Sequence, residues 1–138
     1  LKRVLFDSDV LLDVLAQRQL FVVASAQALN TVTQGRVQGY ISGHAVTNIF
    51  YILRRQIGNE ATKELLSRLL QRIQVVSVTD EVIRAALQSP ITDFEDAVTS
   101  EAAKAIGLEV IVTRNISDFL ASSVPAMRPE EFLATLSE

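Results

Sequence analysis

The chain has 138 residues, 49% apolar and 21% charged, which suits one folded domain over 1–138 and excludes a disordered chain. It has no cysteine, which excludes disulfides and thiolate metal sites, and no stretch nears the roughly 20 apolar residues of a membrane helix. A formal net charge of −3 counts against a pure nucleic-acid-binding module, and less against a nuclease whose acidic metal pocket hides local basic patches in the sum.

No repeat, low-complexity tract or long linker interrupts the chain. The run RVLFD (3–7) ends in an acid and reads as a buried strand, with a helix after it. Residues 20–34 put Phe21, Ala24, Ala28 and Val32 at helical spacing, and Gly35 would stop that helix. VQGYIS (37–42) is a second strand. The segment 44–57 is helical, with Val46, Ile49, Phe50 and Leu53 on one side and Gly58 ending it. Asn59 would cap a further helix carrying Leu65, Leu66, Leu69 and Leu70 on its apolar face. A third strand covers 73–78, and Thr79 or Asp80 starts a helix through Leu87. A helix over 93–106 is stopped by Gly107, a fourth strand covers 108–113, and a last helix spans 129–136 with Pro129 in its first turn. This alternation predicts an α/β fold: a parallel sheet of four or five strands with helices on both faces. Ligands of such sheets sit at the carboxyl ends of the strands, so the acids that follow strands are the ones to weigh.

Asp7 and Asp9 follow the first strand, Asp93 and Asp96 open a helix, and Asn115 and Asp118 follow the fourth strand. A parallel sheet would gather these groups. Mg²⁺ and other hard cations take oxygen ligands, often one or two carboxylates with water and a substrate phosphate. Two such ions can activate a water and stabilise the leaving oxygen of a phosphodiester. Each group also has a plainer reading. Asp7 can end a strand, Asp9 can cap the next helix, and Thr92 with Glu95 has the spacing of a capping box. Asp93 and Asp96 lie where a helix dipole favours acids. Asp13 reads as a solvated or capping residue on the same side as Asp9. His44, the one histidine, reads as a surface or cap residue, which leaves histidine-dependent mechanisms without support. Arg54, Arg55 and Arg114 are candidate phosphate contacts, with solvated helix-end cations as the alternative for the first two. Tyr40, Phe50 and Tyr51 read as core.

The segments VLFDSDVLLDVLAQRQLF, ISGHAVTNIFYILRR, DFEDAVTSEAAKAIGLEVIVTRNISDF and PEEF, in this order, resemble the PIN-domain family across almost the whole chain. The similar branch is that of bacterial toxin-like PIN proteins of the virulence-associated type. DFEDA paired with VTRNISDF is the specific part of the match. The resemblance implies a three-layer sandwich and a ribonuclease dependent on Mg²⁺ or Mn²⁺, with an acidic pocket at the strand carboxyl ends. It implies metal ligands at Asp7 and Asp96, with Asn48 and Asn115 in support and Asp118 near Asn115 in the same turn. Asp93 and Asp118 are the further candidate catalytic acids, and Asp9, from its own placement after the first strand, is a supporting one. Asn48 and Asn115 stand where many family members carry acids. An amide can ligate through its oxygen but brings no charge, so metal binding and activity are expected to be weaker. For a toxin the resemblance further implies RNA as substrate, an antitoxin partner and often a homodimer. No membrane association is expected, and with no secretory signal visible the chain reads as cytoplasmic.

Two other families share fragments of this pattern. VLFDSDVLLD also resembles the first motif of haloacid-dehalogenase-like phosphatases, but Thr113 and Lys104 follow the acidic pair where that family needs them before it. A response-regulator receiver would need a phosphoacceptor Asp after a middle strand. A PIN fold with weakened acids that binds RNA or a partner without cutting is the stronger alternative. Metal bound near Asp7 and Asp96 separates it from a nuclease.

Overall fold

The computed structural model describes residues 1–136. Along the chain run β1 (Lys2–Phe6), α1 (Ser8–Leu15), α2 (Val22–Thr33), β2 (Val37–Ser42), α3 (Gly43–Leu69), β3 (Gln74–Val76) and α4 (Asp80–Leu87). They are followed by α5 (Phe94–Ala105), β4 (Val110–Val112), a 3-10 turn (Ile116–Phe119), β5 (Ala126–Met127) and α6 (Pro129–Thr135). The strands form one five-stranded sheet in the order β3-β2-β1-β4-β5. Every pairing is parallel, with Leu5 opposite Tyr40 on one side and Ile111 on the other.

The sheet is covered on both faces, as all-parallel sheets must be, and the buried stretch Val4–Phe6 of β1 and the whole of β4 are accordingly apolar without alternation. Val4 and Phe6 of β1 and Val110 and Val112 of β4 belong to a core shared with α1, α2, α3 and α6. Leu5 and Ile111 point the other way, into a second core with α4 and α5. Phe6 meets Phe132 of α6 edge to face at 6.4 Å. Its ring also lies where a Cβ on Gly39 would come within 3.1 Å, so β2 needs a glycine there for the sheet to pack.

Helix α3 joins the two helices expected on either side of Gly58. The glycine adopts φ 82° and ψ 170°, the one non-helical residue of the segment, and helix resumes directly after it. Thr62, fully buried, donates its hydroxyl to the Gly58 carbonyl at 2.7 Å. Three expectations about this region change. The second helical half ends at Leu69, and Leu70 faces solvent. Tyr51 is 51% exposed and is not core, whereas Tyr40 is buried and Phe50 partly so. Helix α2 begins at Val22, and its buried residues are Ser25, Ala28, Leu29 and Thr31. Phe21 precedes that helix because its ring is engaged elsewhere, beneath an arginine of the loop after β4.

Candidate active site

Strand β1 leads straight into α1, and Asp7 stands at the junction. Its backbone N–H still donates to Val112 across the sheet at 2.9 Å, while its side chain caps α1 by accepting from Ser8 N–H at 2.9 Å. The cap is therefore Asp7, not Asp9. A cap needs extended backbone, and Asp7 has φ −71° and ψ 157°. Its other oxygen accepts from the Thr113 hydroxyl at 2.9 Å, just beyond β4. Asp9 sits in the first turn of α1 and turns toward the same loop. It accepts from the backbone N–H of Arg114 at 3.0 Å and from the side-chain amide of Asn115 at 3.2 Å.

Helix α5 brings the second pair of acids. Asp93 is its N-cap and accepts from the Asp96 N–H at 3.0 Å, so the expected Thr92–Glu95 capping box gives way to Asp93. Asp96 is half-buried in the first turn, and Asp118 is exposed on the 3-10 turn after β4. These acids feel one another. Burial is the chief cause that raises Asp7 to about 7, with the charges of Asp9 and Asp96 adding to it. Asp96 is also raised to about 7, by burial first and then by Asp93, Asp118, Glu95 and Asp9. Burial raises Asp9 too, opposed by the Arg114 N–H and guanidinium. Carboxylates from the ends of β1 and β4 and the start of α5 thus share one region with an excess of negative charge.

A divalent cation is the chemical complement of such a cluster. Among the described residues no three carboxylate or imidazole groups stand close enough to ring an ion by themselves. The donor set suits a hard ion that keeps water and takes one or two carboxylates, as Mg²⁺ does. Beside the cluster a cleft of about 470 Å³ is lined by Asp93, Asp118, Thr92 and Ser117 with Pro90, Ile91, Leu120 and Ala121. Asp7 and Asp96 are not among its walls.

Other candidates have different surroundings. Asn48 is half-buried on α3. Arg54 lies over the Tyr51 ring at 4.9 Å and Arg55 is exposed, both on α3. Arg114 forks onto Asp13, with Nε to Oδ2 at 2.8 Å and Nη2 to Oδ1 at 3.2 Å. Asp13 is wholly buried, so it is neither solvated nor a cap. His44 is part-buried in the first turn of α3. Its Nδ1 meets the Ser42 hydroxyl at 2.5 Å and its Nε2 the Thr99 hydroxyl at 3.4 Å, which ties α3 to α5. Burial lowers its pKa and favours the neutral ring, against the pull of Glu95. Thr113 and Asp13 were not singled out as site residues by sequence reasoning. The one signal for Asp13 was its position four residues after Asp9, which puts both on one helix face.

The family model described as PIN domain matches residues 3–117. Among solved structures the chain is similar to VapBC2 from Rickettsia felis bound to a DNA fragment from their promoter. The identity there is 12% and the TM-score 0.73, over 91% of this chain and 98% of that one. A toxin–antitoxin complex from Klebsiella pneumoniae matches at 21% identity and TM-score 0.70, over 91% and 97%. Mycobacterium tuberculosis VapC20, described as a sarcin-ricin loop cleaving toxin, matches at 14% and 0.63, over 78% and 86%. At these identities the likeness is one of fold. No curated protein matches the chain. The family match spans most of the sequence and covers both strands that end in the carboxylate cluster, and on it the chain belongs to the PIN-domain family.

Proposed function

We propose that the chain, as one PIN-like domain over residues 1–138, is a metal-dependent ribonuclease of the toxin type. The observation that carries this reading is the set of mutually repelling carboxylates, Asp7, Asp9 and Asp96 with Asp93 and Asp118, at the strand carboxyl ends. Asp7 and Asp96 are the metal ligands in this reading, for Mg²⁺ or Mn²⁺. Such an ion, when bound, supplies an acidified water and charge stabilisation at the phosphodiester. Thr113 holds one Asp7 oxygen while the α1 cap occupies the other, so that carboxylate cannot rotate freely. Asp93 and Asp118 flank the adjoining cleft and orient water or the RNA strand. Asn115 holds Asp9, and Asn48 completes the site with an amide in place of an acid. Arg54 and Arg55 are exposed cations available to backbone phosphates.

RNA is the substrate class in this reading. The toxin–antitoxin assemblies among structures of the same fold support an antitoxin partner, and a homodimer and a cytoplasmic setting belong to the same proposal. A second reading, a non-catalytic PIN module that binds RNA or protein, draws on the amides at Asn48 and Asn115 and on the absence of a three-acid ring among the described residues. Incubation with RNA decides between them. Cleavage that stops on chelation and returns with Mn²⁺ is the expected result. Cleavage that survives chelation would overturn the mechanism, and Mn²⁺ binding without cleavage would leave the non-catalytic module.

A further inference from the structure

Behind the carboxylates lies a charged group to which the proposed reaction gives no role. Asp13 is wholly buried one helical turn beyond Asp9 on α1. It takes both arms of Arg114, the Ser25 hydroxyl at 2.9 Å and, at 3.7 Å, Arg18. The Arg114 guanidinium lies 3.8 Å from the centroid of the Phe21 ring, and its side chain is only 24% exposed. A buried ion pair of this kind is weak evidence of stabilisation, since apolar residues of the same shape often serve as well. Its consequence here is geometric. Three consecutive residues after β4 hold the acid that caps α1 and the acid in its first turn: the Thr113 hydroxyl donates to Asp7, the Arg114 N–H to Asp9, and the Asn115 amide to Asp9. The side chain of the middle residue is anchored in α1 itself, four positions from Asp9.

We infer that Asp13 and Arg114, with Phe21 stacked on the guanidinium, form a brace that presses the 113–115 loop onto Asp7 and Asp9, making them positioning residues for the nuclease site. Arg114 is then spent within the protein and is not a phosphate contact. This inference rests on the nuclease reading. The fork matters, because a guanidinium fixes both orientation and distance to a carboxylate where an ammonium fixes distance alone.

The test uses Asp13→Asn/Arg114→Met, which removes both charges together and leaves no unpaired aspartate, and Arg114→Lys, which keeps the charge without the fork. Three readouts apply: amide hydrogen exchange at 113–115, Mn²⁺ affinity by calorimetry, and RNA cleavage resolved into kcat and KM. In the double variant the Arg114-position amide should exchange about tenfold faster or more, Mn²⁺ affinity should fall about 10–100-fold, and kcat should fall with KM for RNA unchanged. Arg114→Lys should lie between, and it alone decides the matter if the double variant does not fold. Unchanged exchange and unchanged Mn²⁺ affinity would overturn the brace. A raised KM with Mn²⁺ affinity retained would make Arg114 a phosphate contact instead. Wild-type protein that neither binds Mn²⁺ nor cuts RNA would overturn the nuclease reading, while the exchange rates would still report on the brace itself.

Discussion

Asp7 caps a helix with one oxygen, accepts from Thr113 with the other, and faces the charges of Asp9 and Asp96 while almost fully buried. The hydrogen bonds favour its ionised form, but burial and repulsion outweigh them and raise it from 3.8 to about 7. The sign follows from proton linkage. Between 3.8 and about 7 the folded protein binds more protons at this group than the unfolded chain does, so stability falls as pH rises through that window. Asp7→Asn keeps a good cap and removes the charge. In metal-free protein it should therefore gain stability over the wild type by about 2–4 kcal/mol more at pH 8 than at pH 4, read by urea denaturation at both pH values. A difference that does not change with pH would mean that Asp7 ionises freely. Saturating Mn²⁺ should offset that gain, because an ion at a hundredfold excess over its Kd adds about 2.7 kcal/mol to the state that binds it. Residues at strand ends and helix starts, such as Asp7, Asp93, Asp96 and Asp118, were legible as candidates because position alone marks them. Asp13 and Thr113 were not. The fork that buries Asp13 joins residues 101 positions apart, and the hydroxyl on Asp7 comes from 106 positions away.

Most elements could be read from local chemistry. Gly35, Gly58 and Gly107 each take positive φ where a helix was expected to stop. Thr79 caps α4 by accepting from Val82 N–H, as its place before an amphipathic turn suggests. Helix α5 starts one residue later than its sequence suggests, because Thr92 and Asp93 are both good caps and the choice depends on which backbone lies extended. Strand β5 carried no readable signal. It has two residues, and its pairing with Ile111 and Val112 is a tertiary fact. The kink in α3 gives the element-scale prediction. At φ 82° and ψ 170° Gly58 lies in a region essentially closed to other residues, although nothing within 4 Å would obstruct a side chain. Gly58→Ala should cost about 1–3 kcal/mol by chemical denaturation through backbone strain alone, with Mn²⁺ affinity unchanged. An unaffected midpoint would show that the two halves of α3 tolerate a straighter path.

At the scale of the molecule, the parallel sheet follows from apolar strands alternating with helices, and the two cores explain why β1 and β4 lack polar alternation. Strand order does not follow from the alternation. It places β1 between β2 and β4, and so puts the acids after β1 beside the loop after β4. With a net charge of −3 and carboxylates converging at the strand ends, the molecule has little to offer a polyanion without a cation. Everything proposed for its chemistry therefore turns on whether these acids serve a metal. Asp96 is the most direct probe, being half-buried and raised to about 7 by burial and by the carboxylates around it. RNA cleavage by the wild type and Asp96→Asn should be compared at saturating Mn²⁺ with the fold checked by circular dichroism. A loss of about a hundredfold or more in the variant, with the fold intact, is the expected result; cleavage within about threefold of the wild type, well short of the effect of losing a ligand, would contradict a metal-holding role for Asp96.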